Sequence, residues 1–267
     1  MKFDVLNLQV FSDANYLKAC QKLYHNMKWI KLDSTDSTNR EAARILARGN
    51  TGEEFVITAE YQSDGKGQGL HSWHSNPGEN LLMSLVFFPA FLSASHQFQL
   101  SRLLSLSLCF FLEEEGLKPS VKWPNDILLG SSKLAGILIE NAILGQHLSH
   151  SIAGIGLNLN QKAFPKFPRR ASSFALQKGC DMPPEKAARR LTDLFSHYYR
   201  QLQLGGSASI EKAYHDRLYL RERSANFQIN DERCLATITG VNKQGELALQ
   251  RNGRLEHYGQ GEIVFID

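Results

Sequence analysis

The residues best suited to chemistry lie in two stretches. The first is Lys122-Trp123-Pro124-Asn125-Asp126, closely followed by Lys133-Leu134-Ala135-Gly136-Ile137-Leu138-Ile139-Glu140. It places two lysines, an asparagine and an aspartate on adjacent strands and their connecting turn. A lysine beside an otherwise apolar strand is easiest to accommodate if its ammonium faces a bound anion. Asp126 is a hard-oxygen ligand of the kind Mg²⁺ takes, one carboxylate completed by a nucleotide's phosphates. The plainer alternative is a hairpin with surface charges, in which Trp123 and Pro124 only pack.

The second stretch is Tyr61–His74, YQSDGKGQGLHSWH, which carries Gly65, Gly67 and Gly69 around Lys66 and Gln68. A phosphate loop of the Walker type ends in Lys-Ser/Thr and runs straight into a helix. Here a strand follows, and the dinucleotide-binding glycine spacing fails for the same reason. A glycine-rich loop between strands can still turn backbone amides toward an anion, with Lys66 adding a point charge. In isolation, a flexible connection with an exposed lysine is the plainer reading.

The elements around these stretches follow from periodicity and turn residues. Trp29–Leu32 reads as a short strand leading into Asp36-Ser37-Thr38-Asn39. Thr38-x-x-Glu41 is spelled like a capping box opening a helix that Gly49 ends. Phe55–Ala59 and Asn80–Phe88 are strands on either side of the glycine loop, and a helix runs from about Ser95 to Glu115 before Gly116. Short strands follow near Val121–Trp123, Ile127–Leu129, Leu134–Glu140 and Ser149–Leu159, their tight polar turns favouring antiparallel pairing over crossovers. Pro183 and Pro184 open a long helix to about Leu204, and another covers about Ser209–Leu220. From Asn226 the pattern becomes five short β runs, with Arg251-Asn252-Gly253-Arg254 a hairpin signal. Asp13–His25 reads as a short helix without chemistry.

Composition bounds the class. The 267 residues are 42% hydrophobic and 21% charged, which makes a packed globule the expectation. A net charge of +3 is too small to argue for nucleic acid without clustering. Cys20, Cys109, Cys180 and Cys234 are scattered, without a Cys-x-x-Cys pair, and read as reduced thiols. No apolar run is long enough to span a membrane, and the start lacks a signal peptide's basic and apolar regions, so a cytoplasmic protein is expected.

Taken together, the motifs resemble those of biotin protein ligases. KWPND followed by KLAGIL is similar to that family's signature, and GKGQGLHSW resembles its biotin-adenylate loop, usually spelled GRGRxGRxW. Asp36–Asn39, Ala59–Gln62, Gly154–Asn158 and the terminal His257–Glu262 add to the likeness, in the family's order, over about Trp29 to Asp267. The resemblance implies an α+β fold: a mixed, largely antiparallel central sheet with packed helices, plus a small C-terminal SH3-like β-barrel. It divides the chain into an N-terminal extension (1–27), a catalytic ligase domain (28–222) and the C-terminal domain (223–267).

The implied activity has two steps. Biotin's carboxylate attacks the α-phosphate of ATP, and a lysine of the biotin carboxyl carrier domain of a carboxylase then attacks the biotinyl-5′-adenylate. By position, Ser37, Thr38, Asn39 and Gln62 are implied to bind biotin, together with Gly65, Lys66, Gly67, Gln68, Lys133 and Gly136. Lys122, Trp73, Asn125, Asp126 and Asn158 are implied on the ATP side, with Mg²⁺ on Asp126. Lys133, Lys66 and Asp126 are the catalytic candidates. Two positions depart from the family pattern: Lys66 stands for an arginine and keeps only its charge, and Gln68 stands for another and loses it.

Rival readings are a lipoate or octanoate ligase, a biotin-responsive DNA-binding regulator, and a non-catalytic binding module. The KWPND–KLAGIL pair favours biotin, and about 27 non-basic residues before Trp29 are too few for a winged helix-turn-helix, so no nucleic-acid partner is expected. Monomer and homodimer are both left open. His71-x-x-His74 and His147-x-x-His150 have metal-pair spacing but lack a third ligand in sequence. Glu113–Glu115 reads as a solvated helix end, Lys166, Arg169 and Arg170 as a solvated basic run, and Phe195, Tyr198 and Tyr199 as core.

Overall fold

The structure, a computed structural model, describes residues 27–49, 52–69, 71–167 and 169–266. The helix expected over Asp13–His25 and the extension's Cys20 lie outside them. A seven-stranded sheet has the order β1-β2-β3-β7-β6-β5-β4. Its strands are β1 (Lys28–Thr35), β2 (Phe55–Gln62), β3 (Leu81–Phe87), β4 (Pro119–Lys122), β5 (Asp126–Leu129), β6 (Ser132–Leu144) and β7 (His147–Leu157). Every neighbouring pair is antiparallel except β1 and β2, which run parallel with Thr35 opposite Gln62. The four strands from β4 to β7 pair antiparallel, as their tight polar turns predict, and the parallel pair makes the sheet mixed. Helix α1 (Thr38–Ala47) connects the two strands, the crossover a parallel pair requires.

Helix α1 covers one face of the sheet, where Ala42 packs with Phe55, Ile57, Val86 and Ile152. The other face carries α2 (Phe98–Glu114) and α4 (Pro184–Gln203), and between β7 and α4 lies the short α3 (Phe174–Lys178). Helix α2 is buried almost all round, which fits its Leu- and Phe-rich sequence. Pro184 takes the first helical position of α4, as its missing N–H allows. Phe195, Tyr198 and Tyr199 are buried there against Phe87 and Phe110. The acidic end of α2 is not simply solvated: Arg217 clasps the Glu113 carboxylate through Nε (2.7 Å) and Nη2 (2.8 Å). Arg190 donates to Glu114 in the same way.

After α5 (Ser207–Asp216) the chain forms a second, antiparallel five-stranded sheet of order β11-β10-β9-β8-β12. Its strands are β8 (Ser224–Ile229), β9 (Glu232–Val241), β10 (Leu247–Arg251), β11 (Arg254–Tyr258) and β12 (Ile263–Ile266). No ladder joins β11 to β12 among the described residues, so the sheet is open. The β10–β11 turn has positive φ at both Asn252 and Gly253, the conformation an Asn-Gly hairpin adopts.

The two sheets share one apolar core, and polar bonds stitch its boundary. Arg102 of α2 is fully buried and donates through Nη2 to the carbonyls of Val241 (2.9 Å) and Asn242 (2.8 Å). The Trp123 indole N–H donates to Gly245 O at 2.9 Å, where a Cβ on residue 245 would come within 2.5 Å of the Phe98 ring.

Candidate active site

The parallel β1–β2 pair brings both sequence stretches to one end of the sheet. Asp36–Asn39 leaves β1 where the glycine loop leaves β2, and Ser63 N–H and Asp64 N–H donate to Thr35 O and Asp36 O. The expected capping box is absent. Ser37 is the N-cap of α1 without a side-chain cap bond, and Glu41 turns to Arg44 instead. The amide oxygen of Gln62 takes over the cap, accepting from Thr38 N–H (2.7 Å) and Thr38 Oγ1 (3.0 Å). Because a backbone N–H can only donate, this fixes the Gln62 amide and leaves its Nε2 as the donor the side chain presents.

A cavity of about 240 Å³ opens at this end. Ser37, Thr38, Asn39 and Gln62 form one part of its wall; Lys66, Gly67, Gln68 and Trp73 come from the loop. Lys122, Asn125, Asp126, Lys133 and Gly136 complete it from β4, β5 and β6. Two expected residues stand outside the lining. Gly65 sits at the loop's base, where a Cβ would meet Trp73 O at 2.6 Å. Asn158 is buried behind the wall, its Nδ2 donating to Ser172 O at 3.0 Å and its Oδ1 without a partner among the described residues.

The glycine loop is a tight hairpin, with Gly67 N–H on His71 O (2.8 Å) and Trp73 N–H on Gly65 O (2.8 Å). It therefore offers a side chain, Lys66, more than a fan of free amides. Gln68 donates across to Gln260, in the turn before β12, so the second sheet touches the loop. The loop folds the Trp73 ring onto the sheet. A Cβ at Gly156 would fall 2.3 Å from that ring, and one at Gly136 would fall 3.1 Å from it.

Each lysine of the site has a partner. Lys133 Nζ lies 2.6 Å from Asp126 Oδ1 and 5.5 Å from the centre of the Trp73 ring. Its backbone is clamped on both sides, N–H to Arg170 O (2.8 Å) and C=O from Ser172 N–H (2.9 Å). Lys66 Nζ is 3.2 Å from Asp64 Oδ2, and Lys122 Nζ rests 4.5 Å from the centre of the Phe265 ring on β12. Arg40, with Lys66 beside it, holds the Asp64 carboxyl below its ordinary range. The hydrogen bond from Arg44 holds Asp36 further below. An anionic substrate entering the cavity meets three lysines and one carboxylate, a net positive wall. Asp126 gives Mg²⁺ a single carboxylate, which fits only when phosphate oxygens supply further ligands. No cluster of three metal-binding side chains occurs among the described residues, so neither histidine pair gains a third ligand there.

Some residues of and behind the wall escape sequence reasoning. Ser84, at the centre of β3 and outside the lining, reaches Asn39 and Thr38 from beneath. Gly154 and Gly156 were legible only as a motif, although their alternation in an apolar strand already places both on one face. That face is the floor of the cavity.

Comparison with known proteins identifies the family and the fold. The model of the biotin/lipoate A/B protein ligase family matches residues 32–158. The bifunctional ligase/repressor BirA of Bacillus subtilis is 34% identical over 141 residues, 52% of this chain but only 41% of that relative. The chain thus spans less than half of that longer protein. The biotin–[acetyl-CoA-carboxylase] ligase of Paracoccus denitrificans is 33% identical over 192 residues, 68% of this chain and 78% of the relative. The structure of the biotin protein ligase from Aquifex aeolicus in complex with biotin and ATP superposes with a TM-score of 0.75 at 22% identity, covering 89% of this chain and 97% of that one. By sequence and by fold, the chain belongs to the biotin/lipoate A/B protein ligase family.

Proposed function

We propose that the protein is an ATP-dependent biotin protein ligase. The observation that carries this reading is one cavity with two chemically distinct ends. Ser37, Thr38, Asn39 and Gln62 supply paired donors and acceptors, while Lys66, Lys122 and Lys133 supply fixed positive charge. A buried cyclic urea needs the first, because its N–H and C=O groups must be hydrogen-bonded once out of water. Joining a carboxylate to a triphosphate needs the second, because two anions must approach while charge builds on phosphorus.

In the first step a biotin carboxylate oxygen attacks the α-phosphorus of ATP, and pyrophosphate leaves. Lys133 neutralises the approaching carboxylate and then the acyl phosphate, exchanging its Asp126 partner for substrate oxygens. Lys66 makes the same exchange from Asp64, and Lys122 lies on the phosphate side. Asn125, its Nδ2 tied to Ile137 O at 2.8 Å, holds the turn that presents Asp126, the candidate Mg²⁺ ligand. In the second step a lysine amine of an apo biotin carboxyl carrier domain attacks the mixed anhydride, forming the amide and releasing AMP and a proton.

We read residues 28–222 as the catalytic domain and 223–267 as an SH3-like domain, the open five-stranded sheet being its framework. The ATP requirement and the free thiols of Cys109, Cys180 and Cys234 support a cytoplasmic setting. The test is ATP–pyrophosphate exchange with biotin, lipoate or octanoate as the acid, followed by mass spectrometry of an apo carrier domain. Exchange that depends on biotin supports the reading. Exchange only with lipoate or octanoate, or none with any acid, overturns it.

A further inference from the structure

All seven residues of β3 are buried, and at its centre stands one hydroxyl, Ser84, fully enclosed. A hydroxyl in such a place is unfavourable unless it is hydrogen-bonded. Both of its contacts are with residues of the cavity wall: Ser84 Oγ lies 2.6 Å from Asn39 Oδ1 and 2.8 Å from Thr38 Oγ1. The other end of Asn39 is equally constrained. Its Nδ2 donates to Glu140 Oε2 at 2.7 Å and to Leu138 O at 3.4 Å. A backbone carbonyl can only accept, so the amide nitrogen faces Leu138 O and Glu140 and the oxygen faces Ser84.

The proton order then follows along the chain of contacts. Ser84 has one proton, and Asn39 Oδ1 can only accept it. The Thr38 hydroxyl donates to Gln62 Oε1 or to Ser84 Oγ, and in both cases retains a lone pair as an acceptor. Gln62 keeps Nε2 as its donor, since its oxygen is held by Thr38 N–H. Shape holds the Asn39 amide in place: Ser84 pairs across the sheet with Gly154, where a Cβ would lie 2.5 Å from Asn39 Oδ1.

We propose that Ser84 is a positioning residue for the ring end of the cavity, setting through Asn39 and Thr38 which wall atoms donate and which accept toward a cyclic urea. The proposal rests on the biotin reading above, and Ser84 itself lies behind the wall. It gives a reason for a polar residue in an otherwise apolar strand.

The test uses the full chain carrying Ser84→Ala or Ser84→Cys, each alone and combined with Asn39→Ala. Biotin affinity is measured by calorimetry without ATP, KM for ATP by exchange, and stability by thermal melting. Ser84→Ala is expected to weaken biotin about tenfold, the factor for one lost hydrogen bond to a buried group. KM for ATP should hold within about twofold, because the loss concerns one substrate only. Ser84→Cys, a weak donor of similar size, should fall between, and it carries the test if the alanine variant does not fold. With Asn39→Ala already present, Ser84→Ala should add little, since both act through one network. A lower melting temperature with unchanged biotin affinity, or fully additive losses, would show a merely structural serine and overturn the proposal. Wild-type protein that fails to bind biotin at all would instead overturn the functional reading.

Discussion

Gly156→Ala offers the sharpest test of the cavity geometry. A Cβ at this position would lie 2.3 Å from Cε2, 2.6 Å from Cζ2 and 2.7 Å from Cδ2 of Trp73. Ordinary contact between carbons begins near 3.5 Å, so the indole must retreat by about 1.2 Å. Gly156 is paired with β3 on one side and β6 on the other, so the strand resists displacement and the ring must yield. Trp73 is carried by the glycine loop and can swing away, which limits the penalty for overpacking to about 1 kcal/mol, the low end of the usual range. That corresponds to a fall in melting temperature of about 2–4 °C. Function should suffer far more. The ring is a wall of the cavity and the surface on which Lys133 rests, and a misplacement of ~1 Å near reacting groups costs about 100-fold in rate. Gly136→Ala is the internal control: its Cβ would lie 3.1 Å from the same ring, requiring only ~0.4 Å of movement and a loss below about tenfold. The assay is kcat/KM for biotin in pyrophosphate exchange, with tryptophan emission recorded after Trp29 and Trp123 are replaced by phenylalanine. Equal losses in the two variants, or unshifted Trp73 emission in Gly156→Ala, would refute the reasoning.

Three other outcomes are expected. Lys133→Ala should lower biotin-dependent pyrophosphate exchange by about 100-fold or more, as loss of a fixed transition-state charge does, and near-normal exchange would remove Lys133 from catalysis. Gln68→Arg gives up the bond to Gln260 but restores a charge in the loop, so the adenylate should dissociate at least about threefold more slowly in a chase experiment; unchanged release would leave the charge at this position without effect. Acid should destabilise the fold early. Burial lowers the pKa of His197 and of His215, whose ring nitrogen accepts from Val241 N–H, below the ordinary 6.5. The unfolded chain therefore takes up protons first, and stability complete above pH 6.5 declines as pH falls through the window just below it. Melting temperatures recorded from pH 8 to pH 5 check this, since carboxylates titrate lower, and a flat profile would count against the assignment.

Much of this was legible before the structure. Alternating or periodic apolar residues located the strands of both sheets and the longer helices, though not the five-residue α3, and Asn252-Gly253 announced its hairpin because only such residues take positive φ easily. The lysines and Asp126 were legible because charge beside apolar strands is rarely idle. What stayed hidden depends on contacts distant in sequence. Thr38 looked like a helix cap, but Gln62, far along the chain, supplies the cap and also holds the Thr38 hydroxyl. Ser84 looked like a neutral interruption in an apolar run, since its partners come from α1. Glu113 looked solvated because Arg217 lies beyond three further helices. Which pair of the mixed sheet runs parallel stayed hidden for a different reason. Its crossover helix is only ten residues long, and a helical connection, unlike a tight turn, leaves the direction of the next strand open.

That parallel pair also bears on which length changes the chain can absorb. Thr35 opposite Gln62 is the last rung of the ladder, and beyond it both segments leave the sheet. Residues added to or removed from the hairpin tip around Gln68 and Gly69 leave this rung untouched, and alter reach without altering aim. A single residue added within Phe55–Gln62 would invert the faces of all that follow and turn Gln62 away from Thr38. Length is thus free to drift only at the tip around Gln68 and Gly69, while the eight residues of β2 are held to their number as tightly as to their identity.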